Sequence, residues 1–241
     1  MVQKSIYVSL LQASAASQRQ LAVLIDPEKF DLSRTSEFLR GLPSRVNYLF
    51  VGGSTVPEGM TEKLVEVLKL YSAKPILIFP GHHEQITDKA DALLFLSLLS
   101  GRNPEYLIGQ QVKSVGKLRS ISIEVISTGY LLIDGGNQSA VARVTQTQPL
   151  LQSDVNGIVD TAKAGQYLGA QLIYLEAGSG AKNPVAPHII AAVKKELDIP
   201  LIVGGGIRTS QALKEAYDAG ADLVVIGTVL EEDQSFINQL N

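Results

Sequence analysis

The chain contains no cysteine, which excludes disulfides, thiolate metal sites and a cysteine nucleophile. Charged residues are sparse and nearly balanced, 21 basic against 24 acidic for a net charge of −3. No basic run resembles the electrostatic footprint of a nucleic-acid binder, so no nucleic-acid partner is expected. Long apolar runs are missing too. The longest, Ala92–Leu99, is interrupted by Ser97 and falls far short of the roughly 20 residues that cross a bilayer. G-x-S-x-G, Walker and G-x-G-x-x-G patterns are absent, which disfavours serine hydrolases, NTPases and NAD enzymes. What is present is a 241-residue chain that is 45% hydrophobic, long enough to bury a full core without crosslinks.

Lys4, the apolar Ile6–Leu11 and the small residues Ala13-Ser14-Ala15 faintly imitate a secretory signal. Ser5, Ser9 and Gln12 dilute that apolar segment, whereas Ile6, Leu10, Leu11 and Ser14 fall at helical spacing. An N-terminal helix is the better reading.

Beyond it, short apolar, β-branched runs recur, many of them ending in glycine: Leu21–Asp26, Tyr48–Gly53, Pro75–Gly81, Ala92–Leu99, Glu124–Gly129, Leu172–Gly178, Pro200–Gly206 and Leu223–Gly227. None alternates cleanly, as expected for parallel strands buried on both faces. Helical patterns lie between most of them. Thr61–Tyr71 is amphipathic, Pro184 opens a helix to about Leu197, and Thr209 caps one that Gly220 ends. Eight strands alternating with helices predict an α/β fold, a single (β/α)₈ barrel over residues 1–241, with a doubly wound sheet as the alternative. The third strand-to-strand interval spans only 17 residues. His82–Asp91 is too short for a crossover helix and its loops, so the barrel is a modified TIM barrel with its third helix missing or replaced. The fifth interval spans 48 residues, and Gly135–Ser153, poor in apolar anchors, reads as a mobile loop or lid.

Active sites of such barrels lie at the C-terminal ends of the strands, where the glycines concentrate. Val203-Gly-Gly-Gly-Ile207 and Val225-Ile-Gly-Thr228 follow strands seven and eight, the place where backbone N–H groups cradle a phosphate. Arg208 and Thr228 either add donors or serve only as helix-entry residues. Glu176 tops strand six within Tyr174–Gly180, as an ion-pair partner or a general base. Asp26, followed by Pro27, tops strand one. With Ser54 after strand two it makes a sparse Mg²⁺ site or, equally, begins a turn. His82 and His83 lack the spacing of a helical zinc site and fit a solvated loop. His188 falls within a helix.

Together L-I-D-P-E-K (24–29), F-V-G-G-S-T (50–55), I-F-P-G (78–81), Y-L-E-A-G-S-G (174–180), V-G-G-G-I-R (203–208) and V-I-G-T (225–228) resemble the geranylgeranylglyceryl phosphate synthase family, prenyltransferases on a modified TIM barrel. The resemblance implies that Asp26 and Ser54 contact Mg²⁺. It implies that Tyr174, Leu175, Glu176, Ala177, Gly178, Ser179, Gly180, Gly204, Gly205, Gly227 and Thr228 hold sn-glycerol 1-phosphate, with Glu176 the catalytic base. The implied reaction joins the glycerol hydroxyl to a polyprenyl diphosphate and releases diphosphate. The tail is geranylgeranyl or the longer heptaprenyl, with the extra N-terminal helix and the I-F-P-G-H segment closer to the geranylgeranyl branch. The gap at the shortened third connection is the expected exit for the tail. A cytoplasmic homo-oligomer that touches a membrane surface only to release its lipid product is expected. A phosphate-binding isomerase or lyase, in which Glu176 would abstract a carbon-bound proton, and a catalytically silent binding barrel are the other readings.

Overall fold

A computed structural model of the chain describes residues 5–227. Eight parallel strands close on themselves in chain order: β1 (Gln20–Ile25), β2 (Val46–Val51), β3 (Ile76–Ile78), β4 (Ala92–Leu98), β5 (Glu124–Leu132), β6 (Leu172–Glu176), β7 (Leu201–Gly204) and β8 (Leu223–Ile226). β8 pairs back onto β1, Leu223 opposite Gln20 and Ile226 opposite Val23. The helices are α1 (Ile6–Ala15), α2 (Thr35–Gly41), α3 (Met60–Tyr71), α4 (Gln110–Leu118), α5 (Ala140–Thr145), α6 (Val155–Tyr167), α7 (Pro187–Glu196) and α8 (Ser210–Asp218).

Two buried layers explain the continuous apolar runs. Ala22, Phe50, Leu77, Leu94, Leu172, Tyr174 and Ile202 fill the barrel interior. Their strand neighbours Leu21, Val23, Leu49, Ile76, Leu93, Ile173, Leu175 and Val203 face the helices instead. The period-two alternation thus sorts residues between two dry environments rather than between core and water. Helix α1 closes the bottom of the barrel. Ile6 and Leu10 join the interior cluster, and the Glu124 carboxylate at the start of β5 accepts from Ser5 Oγ and from the N–H groups of Ile6 and Tyr7 at 2.6–2.9 Å.

No α-helix follows β3; the connection holds only a three-residue turn of 3₁₀ helix, His83–Gln85. The seam there is thin, since β3 meets β4 over two residue pairs whereas β4 meets β5 over seven.

Three sequence expectations require correction. Strand β5 does not stop at Gly129 but runs on to Leu132. Gly129 is small because a Cβ there would lie 2.8 Å from Ile173 and 2.9 Å from Leu99, in the packing beneath α6. Helix α7 begins at Pro187, not Pro184. The Pro184 carbonyl and the Ala186 N–H are both held by the Gln152 side chain, which keeps that stretch a loop. Within Gly135–Ser153 lies a built element, the helix α5. Ser139 caps it by accepting from the Ala142 N–H, and Ala142 is buried.

Candidate functional site

The alternation decides which strand-top side chains face the barrel mouth. In β6, Leu172 and Tyr174 point inward, so Glu176 does as well, while Leu175 and Ala177 join the sheet–helix layer. The side chains of Leu175 and Ala177 therefore offer a ligand nothing. A cavity of about 460 Å³ opens at the mouth, lined by Asp26, Ser54, Tyr174, Glu176, Gly178, Ser179, Gly180, Gly205 and Gly227 together with Arg208. Gly204 contributes by absence, because a Cβ there would sit 2.5 Å from the Tyr174 hydroxyl and 2.7 Å from Glu176 Oε2. Thr228 lies outside the described residues.

Glu176 is only 6% exposed. Its Oε1 accepts from the Gly178 N–H at 2.8 Å, so that N–H serves the carboxylate rather than an incoming phosphate. Burial raises the Glu176 pKa. The Gly178 N–H and the Tyr174 hydroxyl, beside the carboxylate but outside hydrogen-bond geometry, pull it back only in part. Gly205 adopts φ +79°, and a side chain there would collide with Glu176 Oε1 and the Gly178 N–H. The glycine run after β7 thus makes room for an acid and leaves its own backbone facing the cavity.

Across the barrel, Asp26 follows Ile25 of β1. Its Oδ1 accepts from the Glu28 N–H at 3.0 Å, and its Oδ2 lies 3.3 Å from Lys29 Nζ. A Cβ on Gly53 would approach Asp26 Oδ1 to 2.6 Å; glycine keeps the carboxylate open toward the cavity. A carboxylate with the Ser54 hydroxyl on the same wall is a set of hard oxygen donors, which suits a hydrated Mg²⁺.

The floor is aromatic, and of its three rings sequence reading missed Tyr130. Phe79, Tyr130 and Tyr174 pack with ring centroids 5.3–5.8 Å apart. The hydroxyls of Tyr130 and Tyr174 are buried and, among the described residues, have no hydrogen-bond partner. Burial, and then the Glu176 charge, push both well above the usual tyrosine pKa, so they stay neutral phenols packed beneath the cavity. Tyr130 was hidden by ending β5 at Gly129; the unbroken run Thr128–Leu132 was the available signal.

The cavity continues outward over β4 as an apolar channel walled by Ile86, Phe95, Leu96, Tyr106, Val141 and Val144. The groove on the α3 side of the missing helix shares Ile86, Tyr106 and Val144 with that channel and adds a charged outer lining of Glu58, Glu62, Lys63, Glu66 and Lys117. Both histidines at the rim are half-buried, with the His82 side chain still partly open to solvent. His83 Nδ1 lies 3.0 Å from Gln110 Oε1, and His82 Nδ1 lies 3.4 Å from Glu84. Burial, followed by the charge of His83, lowers the His82 pKa. The ligand atoms of His82, His83 and Glu84 converge to within 4.8 Å of one another, closer than the run suggests. His188 lies in α7, as expected, away from the cavity lining.

A family model described as the PcrB family matches residues 15–240. A geranylgeranylglyceryl phosphate synthase of Zunongwangia profunda is 55% identical over 226 residues, covering 94% of this chain and 97% of that protein. One of Flavobacterium johnsoniae is 48% identical, covering 97% of each. The crystal structure of (S)-3-O-geranylgeranylglyceryl phosphate synthase from Thermoplasma acidophilum in complex with sn-glycerol-1-phosphate superimposes with a TM-score of 0.90 at 33% identity, covering 99% of this chain and 96% of that one.

Proposed function

The chain belongs to the PcrB family, and from that premise we propose that it is a prenyltransferase joining the C3 hydroxyl of sn-glycerol 1-phosphate to geranylgeranyl diphosphate. The observation that carries this reading is one cavity combining a glycine-lined phosphate cradle, a buried carboxylate and an apolar channel. A phosphate isomerase or lyase would use the first two and leave the channel without purpose.

The hydroxyl oxygen attacks C1 of the prenyl group, the C1–O bond to diphosphate breaks, and its electron pair leaves with the diphosphate. The hydroxyl proton passes to Glu176. An alcohol is a poor nucleophile until a base takes its proton, and burial has already made Glu176 a stronger base than an exposed carboxylate. Asp26 and Ser54 would hold Mg²⁺, which when bound supplies neutralisation of the leaving group's charge. Each CH₂ of the tail buried in the channel contributes about 0.8 kcal/mol, so the channel gives much of the affinity for the lipid substrate.

We read the enzyme as a cytoplasmic homo-oligomer. No described helix is long and apolar enough to cross a membrane. Ile108, Val112 and Val115, 37–63% exposed, form an apolar stripe at helical spacing that a second copy would cover. The test is purified protein with Mg²⁺, sn-glycerol 1-phosphate and prenyl diphosphates of several lengths. Ether product with the geranylgeranyl substrate is expected. A preference for heptaprenyl diphosphate would reassign the tail, and no diphosphate release with any length would end the reading.

A further inference from the structure

The proposed reaction brings a phosphate and a diphosphate into a cavity that already contains Asp26 and Glu176, so the cations on its wall decide where the second anion settles. Among the described residues, three permanently charged cationic side chains line it: Lys29, Arg143 and Arg208. Lys29 is bound to Asp26, and Arg208, beside the glycines after β7, has a partner within the protein. The Arg143 side chain is exposed at the rim, between this cavity and a shallower one on the other side of α5, and makes no ion pair or hydrogen bond to any described residue. It projects from α5, which is firmly held. Ser139 packs against Gly178, Asn103 Nδ2 donates to the Thr145 carbonyl at 2.9 Å, and the Thr145 and Thr147 hydroxyls pair at 2.7 Å.

The same short helix turns Val141 and Val144 toward the apolar channel. A prenyl diphosphate is a charged head joined to an apolar tail, and α5 presents one matching surface to each. We propose that Arg143 is a diphosphate-binding residue of this chain, a guanidinium clamp on the head of the prenyl substrate at the point where the channel begins. A guanidinium meets two phosphate oxygens at once, which a lysine does not. Charge accumulates on the diphosphate as the C1–O bond breaks, so the contact strengthens toward the transition state.

This inference rests on the prenyl-transfer reading, and its test separates the two. Inorganic pyrophosphate binding is measured by titration calorimetry, with and without Mg²⁺, for the wild type and for Arg143→Gln. Steady-state KM is measured for each substrate in both proteins and in Arg143→Lys. Removing a charge-assisted contact should weaken pyrophosphate binding, and raise KM for the prenyl diphosphate, by about ten- to a hundredfold, leaving KM for sn-glycerol 1-phosphate within about twofold. Arg143→Lys should recover only part of the loss. Equal pyrophosphate affinity in wild type and Arg143→Gln, or both KM values rising together as they would if Arg143 merely braced α5, would overturn the clamp. Arg143-dependent pyrophosphate binding by a wild type that transfers no prenyl group would uphold the clamp and overturn the reaction.

Discussion

Asp26 and Glu176 have the same local grammar: a carboxylate directly topping an apolar parallel strand, followed within two or three residues by a chain reversal. Their surroundings differ completely. Asp26 has a lysine ammonium 3.3 Å away and partial access to water. Glu176 is buried, and the groups that bear on it are a peptide N–H and a phenol, both uncharged. One carboxylate stands beside a cation. The other is buried where its charge is disfavoured, so its hold on a proton is strengthened, which suits a proton acceptor. A motif in sequence therefore fixes where an acid stands, and the neighbours it packs against fix what it does.

The contrast breaks most sharply at Glu176. Glu176→Gln keeps the shape and removes the proton acceptor, so kcat should fall by about 10²–10⁴-fold while glycerol phosphate affinity is largely kept. Steady-state kinetics at saturating Mg²⁺ measures this, and near-normal turnover would reject the role. Asp26→Ala should act differently, raising the Mg²⁺ concentration for half-maximal rate by about ten- to a hundredfold and leaving residual activity at high Mg²⁺. An unchanged Mg²⁺ response would place the cation elsewhere.

Much of this geometry was legible beforehand because it depends on period and spacing. The runs Leu21–Asp26 and Leu172–Glu176 place their terminal acids in phase with the interior, and the 17-residue interval left no room for a third helix. What depends on three-dimensional packing was not legible. Gly129 looks like a strand end but answers to Leu99 and Ile173, residues remote in sequence. Helix α5 is only six residues long, too short for a helical period to stand out, and its anchors Val141 and Ala142 pack on interior residues remote in sequence. Its cap, Ser139 three residues before Ala142, was the one local signal, and with it Arg143 would have been placed on a wall instead of in a loose loop. Tyr174 and Phe79 lie within the sequence motifs, but their packing with Tyr130 into one aromatic floor stayed hidden because the three come from strand tops that only barrel closure brings together.

The smallest effect is the most direct test of the central claim, that burial alone makes Glu176 a base. A pKa raised by folding means that the folded state binds the proton more tightly than the unfolded one. Stability from this group is then fully present below the ordinary carboxylate pKa and is lost as pH rises through the raised value. Melting temperatures of the wild type and Glu176→Gln, without substrates and across acidic to neutral pH, read this out, each kcal/mol moving Tm by about 2–4 °C in a protein of this size. The two should melt together in acid, the glutamine variant should become the more stable as pH rises, and the gap should level off at neutral pH. A gap that is independent of pH, or a wild type that gains on the variant as pH rises, would contradict it.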